Sequence, residues 1–167
     1  MGHTLAVMPK HFLTRLLVLS ISLVWMAGTA SGQAAPLQQR LARTRTLNCT
    51  FAAKATGNWP DTGPTAEVGT AKIKVAFTNV NVDEGTADAE DAFGKSYIVV
   101  RYTSDYLHLI QMHSAGPLYT TTVLAKPAKD GRLLAIHTRH EYTDVRLPGF
   151  TSRPEMYLGD CAVTEGP

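Results

Sequence analysis

Ala71-Lys72-Ile73-Lys74-Val75-Ala76-Phe77 is the stretch on which the fold turns. Ile73, Val75 and Phe77 alternate with Lys72 and Lys74, and a period of two places the apolar set on one face and the lysines on the other only in an extended strand. A strand with one charged face is half-buried, which is the habit of antiparallel sheets. Further along, Lys95-Ser96-Tyr97-Ile98-Val99-Val100-Arg101-Tyr102 and Tyr106-Leu107-His108-Leu109-Ile110-Gln111-Met112 are rich in β-branched and aromatic residues, with Thr103-Ser104-Asp105 between them as a turn. They predict a hairpin. Residues 118–124 and 133–140 predict a second one around Pro127-Ala128-Lys129-Asp130-Gly131, whose Asp-Gly pair suits a turn with positive φ. Asp83-Glu84-Gly85 marks a further turn, and strand-like runs close both ends at 46–53 and 155–163.

No stretch after residue 30 carries apolar residues at helical spacing through three turns. Seven or eight short strands with turns between them predict an all-β fold, a single antiparallel meander closed as a small barrel or folded as a sandwich. With 44% apolar and 18% charged residues in 167, the chain has enough apolar surface for one core, which excludes the disordered class. Its two cysteines, Cys49 and Cys161, lie on the first and last strands. A disulfide between them is expected, and in a barrel those two strands are neighbours.

The first thirty residues speak to compartment. Lys10, His11 and Arg15 precede the apolar run Leu16-Leu17-Val18-Leu19-Ser20-Ile21-Ser22-Leu23-Val24-Trp25-Met26, and small residues follow, which is the layout of a secretory signal peptide. Cleavage is expected after Ala30 or Ala34. The alternative is a retained anchor, but the run falls short of the roughly 20 residues that cross a bilayer. The expected organisation is a signal peptide over 1–30, a flexible leader over 31–45 and one β domain over 46–163, with no stable membrane span after processing. Loss of residues 1–30 removes two of sixteen basic residues and none of fourteen acidic ones, so the apparent charge of +2 disappears. No nucleic-acid partner is therefore expected, because that needs a clustered basic excess.

Three regions are candidates for function. In His137-Thr138-Arg139-His140-Glu141-Tyr142, a strand places His137, Arg139 and Glu141 on one face and His140 on the other. Two histidines three apart then diverge, so a metal centre would need His108 or His113 from a neighbouring hairpin; a hydrogen-bonded network or a solvated face is the expected role, with no metal and no cofactor. The loop Asp144-Val145-Arg146-Leu147-Pro148-Gly149-Phe150-Thr151-Ser152-Arg153-Pro154-Glu155 carries Arg146, Phe150 and Arg153, types that anchor interfaces; the alternative is that Leu147 and Phe150 cap the fold. The acidic run Asp83, Glu84, Asp88, Glu90 and Asp91 lacks the spacing of a calcium loop and reads as a solvated hairpin.

Leu47-Asn48-Cys49-Thr50-Phe51, His137-Thr138-Arg139-His140-Glu141-Tyr142 and Tyr157-Leu158-Gly159-Asp160-Cys161 together resemble the small secreted bacterial β-proteins, a family itself uncharacterised. The resemblance covers most of 46–163 and implies a fold and a compartment but no catalytic residue. Ala115-Gly116-Pro117-Leu118-Tyr119 is similar to the Ser-Gly-x-x-Tyr inhibitory loop of periplasmic lysozyme-inhibitor barrels, with alanine in the place of the serine. Gly57-Asn58-Trp59 is similar to the Gly-x-Trp of lipocalin-type barrels, although Pro60 interrupts a strand there. The expectation is an exported, periplasmic or secreted, non-enzymatic binding domain for an envelope or extracellular protein or a small ligand. The alternatives are a barrel carrier of a small apolar ligand, a lysozyme-inhibitor-like protein, or a hydrolase or metalloenzyme built on His137, His140 and Glu141.

Overall fold

A computed structural model describes residues 34–91, 94–113, 116–145 and 151–166. The chain divides into two units; Met1–Gly32, which holds the expected signal peptide, lies outside the described residues, and the fold is that of the second, Gln33–Pro167. A helix, α1 (Ala34–Ala42), leads into eight strands: β1 (Thr44–Asn58), β2 (Thr65–Asn81), β3 (Thr86–Asp91), β4 (Gly94–Thr103), β5 (Tyr106–Met112), β6 (Leu118–Pro127), β7 (Leu133–His140) and β8 (Glu155–Glu165). Each pairs antiparallel with its sequence neighbour, and β1 pairs with β8, so the meander closes into a barrel rather than splitting into a sandwich. Closure joins the first strand to the last, but β2 pairs with β3 only from Phe77 onward, so residues 65–76 are bonded on the β1 side alone among the described residues. No helix among the described residues is long and apolar enough to cross a membrane.

The alternation seen in the sequence points into this barrel. Phe77 is buried and Ile73 and Val75 pack on the core, while Lys72 and Lys74 are exposed. Leu47, Phe51, Ile98, Val100, Leu107, Leu109, Val123 and Leu133 fill the interior with them. Asp130 and Gly131, at φ 54° and 70°, deliver the positive-φ turn between β6 and β7. The acidic run forms the β2–β3 hairpin, and its buried positions among those described are Ala87 and Ala89, residues so small that the strand carries little hydrophobic signal.

The expected flexible leader is corrected in part. Residues 34–42 form α1, whose Leu41 is fully buried and whose Leu37 packs against the core. Two leucines one turn apart in nine residues are too few to establish a helical period, but they suffice to plug one end of a barrel. The plug is tied to the turns around it: Gln38 Nε2 donates to Asp105 at 2.9 Å, Arg40 Nη1 to the Gly131 carbonyl at 3.1 Å, and Tyr102 Oη to the Gln38 carbonyl at 3.2 Å.

Closure is fastened at the β1–β8 seam. Cys49 and Cys161 are directly opposite in register and are disulfide-bonded. Beside them Arg132 pairs with the Asp160 carboxylate and donates from Nη2 to the carbonyls of Asn48 (3.1 Å) and Asp160 (3.0 Å), clasping the two strands from the start of β7. A bulge between Phe51 and Ala53 presses β1 against β8 at Gly159. A Cβ on Gly159 would lie 2.0 Å from the Thr50 carbonyl oxygen and 2.7 Å from Phe51 Cα, both backbone atoms that cannot swing aside. Gly159→Ala is therefore expected to cost about 3 kcal/mol or more, at the upper end of overpacking. Gly69→Ala, where an added Cβ meets nothing within 4 Å, serves as the neutral control. Urea unfolding of the two variants checks this, and equal midpoints would contradict the close approach.

Candidate functional site

At the end of the barrel opposite α1, the inward positions of four adjacent strands line up in rows. Tyr119, Arg139, Glu155 and Thr56 stand in register on β6, β7, β8 and β1. One step deeper come Thr121, His137, Tyr157 and Lys54. Below these, Val123, Ala135, Gly159 and Phe51 begin the apolar core. The bulge in β1 makes this possible: it changes the alternation, so that Phe51 and Lys54 both face inward although they are three apart.

His137 is the centre of the deeper row and only 3% exposed. Arg139 Nε donates to its Nε2 at 3.3 Å, and its Nδ1 lies 2.8 Å from Thr121 Oγ1. A guanidinium is only a donor, so Nε2 is the acceptor and the neutral ring keeps its proton on Nδ1, donating it to Thr121. Burial, and then the positive charge of Arg139, depress the imidazole to about 3. With both nitrogens engaged, His137 is poorly suited to general acid–base work, which needs a value near the operating pH.

Arg139 lies with Cζ 5.0 Å from the ring centre of Tyr119 and 5.6 Å from that of Tyr157, within cation–π range of both. Glu155 faces it in register but turns its carboxylate elsewhere, accepting from Lys54 Nζ at 2.6 Å, from Thr56 Oγ1 at 3.2 Å and from the Tyr157 hydroxyl. Burial opposes ionisation of Glu155, but the bonds from Lys54 and Tyr157 outweigh it and hold the carboxyl below its ordinary value. Burial, reinforced by Glu155, pushes the Tyr157 phenol upward. Glu141 accepts from Tyr119 Oη at 3.1 Å and from the Thr151 backbone N–H at 2.7 Å, tying Thr151 to the end of β7.

On the rim, Trp59 of the β1–β2 loop meets Tyr142 of the β7–β8 loop edge-on at 5.5 Å, and the two are 58% and 50% exposed. Arg153 covers the Tyr142 ring at 4.4 Å. It is held by Nε donating to Asn58 Oδ1 at 3.0 Å and Nη1 donating to the carbonyls of Thr143 (2.8 Å) and Ser152 (2.7 Å).

Several expectations meet these positions. His137, Arg139 and Glu141 take part in hydrogen bonding at this end of the barrel, with His137 buried and Arg139 and Glu141 partly exposed. His140 points away, 3.0 Å from Thr138 Oγ1. His108 is also on the outer face, bonded to Thr122 at 3.0 Å and stacked on Tyr106, so it does not join His137. His113 sits edge-on to Tyr119 at 4.8 Å. Among the described residues no three His, Cys, Asp or Glu side chains gather as metal ligands. Arg153 is on the rim, while Arg146 and Phe150 lie outside the described residues. Tyr119, compared above with an inhibitory-loop tyrosine, is buried in the mouth. Lys54 and Tyr157 were not among the candidates, and Trp59 and Tyr142 entered only as members of the Gly57-Asn58-Trp59 and His137–Tyr142 segments. Tyr157 had a signal, since it stands four residues before Cys161 on one strand and so shares its inward face.

Fold and site together define an eight-stranded up-and-down barrel with a helix-plugged end and a polar, loop-bearing end. Neither protein-family models nor curated proteins nor solved structures yield a match to this chain.

Proposed function

We propose that this protein is an exported, non-enzymatic binding domain that recognises its partner with the loop-bearing end of the barrel. The observation that carries the reading is the Trp59–Tyr142–Arg153 stack: two half-exposed aromatic rings from two loops and a guanidinium that is itself fixed by hydrogen bonds. Trp, Tyr and Arg are the types that dominate binding energy, and holding them in place beforehand lowers the entropy lost on association. The engaged, neutral His137 supports a binding role over a hydrolytic one. The signal-like first thirty residues and the disulfide support a periplasmic or secreted location.

The test is affinity capture from the envelope and medium of the native host, followed by titration of the captured partner. Trp59→Ala and Tyr142→Ala are each expected to weaken binding roughly 30-fold, the scale of a hot-spot residue. Undiminished affinity in the double variant would remove the rim from the site, and turnover in a hydrolase panel would overturn the non-enzymatic reading. N-terminal sequencing of the exported form should begin after Ala30 or Ala34.

A further inference from the structure

We propose that Arg139 anchors a binding site for a small organic monocarboxylate in the mouth of the barrel. The inference rests on the reading of the loop-bearing end as the recognition end, and adds the class of ligand.

Arg139 is a partly exposed cation held from several sides. Nε is committed to His137, and the side chain lies against Tyr119 and Tyr157. Its η nitrogens meet no acceptor among the described residues. A guanidinium set into a barrel wall ordinarily finds a carboxylate, because desolvating a charge without a partner is costly. Both nearby carboxylates are turned to other donors: Glu155 to Lys54, Thr56 and Tyr157, and Glu141 to Tyr119 and the Thr151 backbone.

The free edge of a guanidinium matches a carboxylate with two parallel N–H···O bonds. Since Tyr119, Tyr157 and His137 already fix its orientation, little side-chain entropy remains to be lost on binding. Charge narrows the ligand further. Glu141 and Glu155 border the site, so a dianion such as phosphate meets more repulsion than a singly charged acid does.

The disulfide-bonded protein is titrated with sodium benzoate, with benzamide and inorganic phosphate as controls, and followed by heteronuclear NMR at the Arg139 side chain and the His137 backbone. Benzoate is expected to give saturable shifts at both, with benzamide and phosphate at least about tenfold weaker. Arg139→Lys keeps the charge and loses the planar edge, and is expected to weaken benzoate binding by about tenfold or more. The benzoate–benzamide contrast is read on the wild-type chain and does not depend on that variant folding. Equal response to benzoate and benzamide, no saturable shift with benzoate at millimolar concentration, or undiminished binding by Arg139→Lys overturns the site. Phosphate binding as tightly as benzoate overturns the carboxylate assignment. Rim-dependent partner capture without any saturable benzoate shift refutes this inference alone.

Discussion

Reduction of the Cys49–Cys161 bridge is expected to lower the free energy of unfolding by about 2–5 kcal/mol, the usual range for losing a native disulfide. The two residues are 112 apart in the chain and directly opposed on the strands that close the barrel. A crosslink over so long a loop removes much of the freedom of the unfolded chain, about 4–5 kcal/mol on the loop-entropy account. Urea unfolding with and without reductant measures the loss, and Cys49→Ala/Cys161→Ala should behave like the reduced protein or worse, since both side chains are buried. A loss below about 1 kcal/mol would mean that closure is held by the β1–β8 ladder and the Arg132 clasp, with the covalent link contributing little.

Acid should destabilise the protein through His137 before its carboxylates titrate. In the folded state the imidazole is depressed from 6.5 to about 3, so the unfolded chain takes up the proton first. The contribution is therefore fully present above pH 6.5 and is lost progressively as the pH falls towards 3. At about 1.4 kcal/mol per pKa unit the full loss is roughly 4–5 kcal/mol, and more than half of it falls above pH 4.5. Glu155, depressed as well, gives stability that is present above its ordinary value of 4.5 and lost only below it, which leaves the window from pH 6.5 to 4.5 to His137. His137→Gln keeps a donor and an acceptor but cannot titrate, and should flatten the pH dependence of the unfolding free energy across that window. A wild-type protein equally stable at pH 7 and pH 4.5 would contradict a buried neutral imidazole.

How much of this was legible beforehand depended on how local each signal was. The alternation Ile73, Val75, Phe77 against Lys72 and Lys74 identified β2, and Asp130-Gly131 identified a turn, because both are contained within a few residues. β3 was legible only as the acidic side of a hairpin and α1 escaped, because alanines supply the inner face of one and two leucines the inner face of the other. The shared face of His137 and Arg139 followed from strand period alone. That this face is the interior of the barrel did not, since His, Arg and Glu are residues more often found in water.

Sequence alone therefore determined an antiparallel meander and which cysteines lie at its two ends, because side-chain period, turn chemistry and strand propensity act over neighbouring residues. Tertiary structure decided that the meander closes as a barrel, that α1 plugs one end, and that Lys54, Thr121, His137, Arg139, Glu155 and Tyr157 meet at the other. Those outcomes depend on register between strands distant in the chain and on a bulge in β1 that changes its inward face. Buried polar groups become tolerable only when such register brings every partner within hydrogen-bond reach.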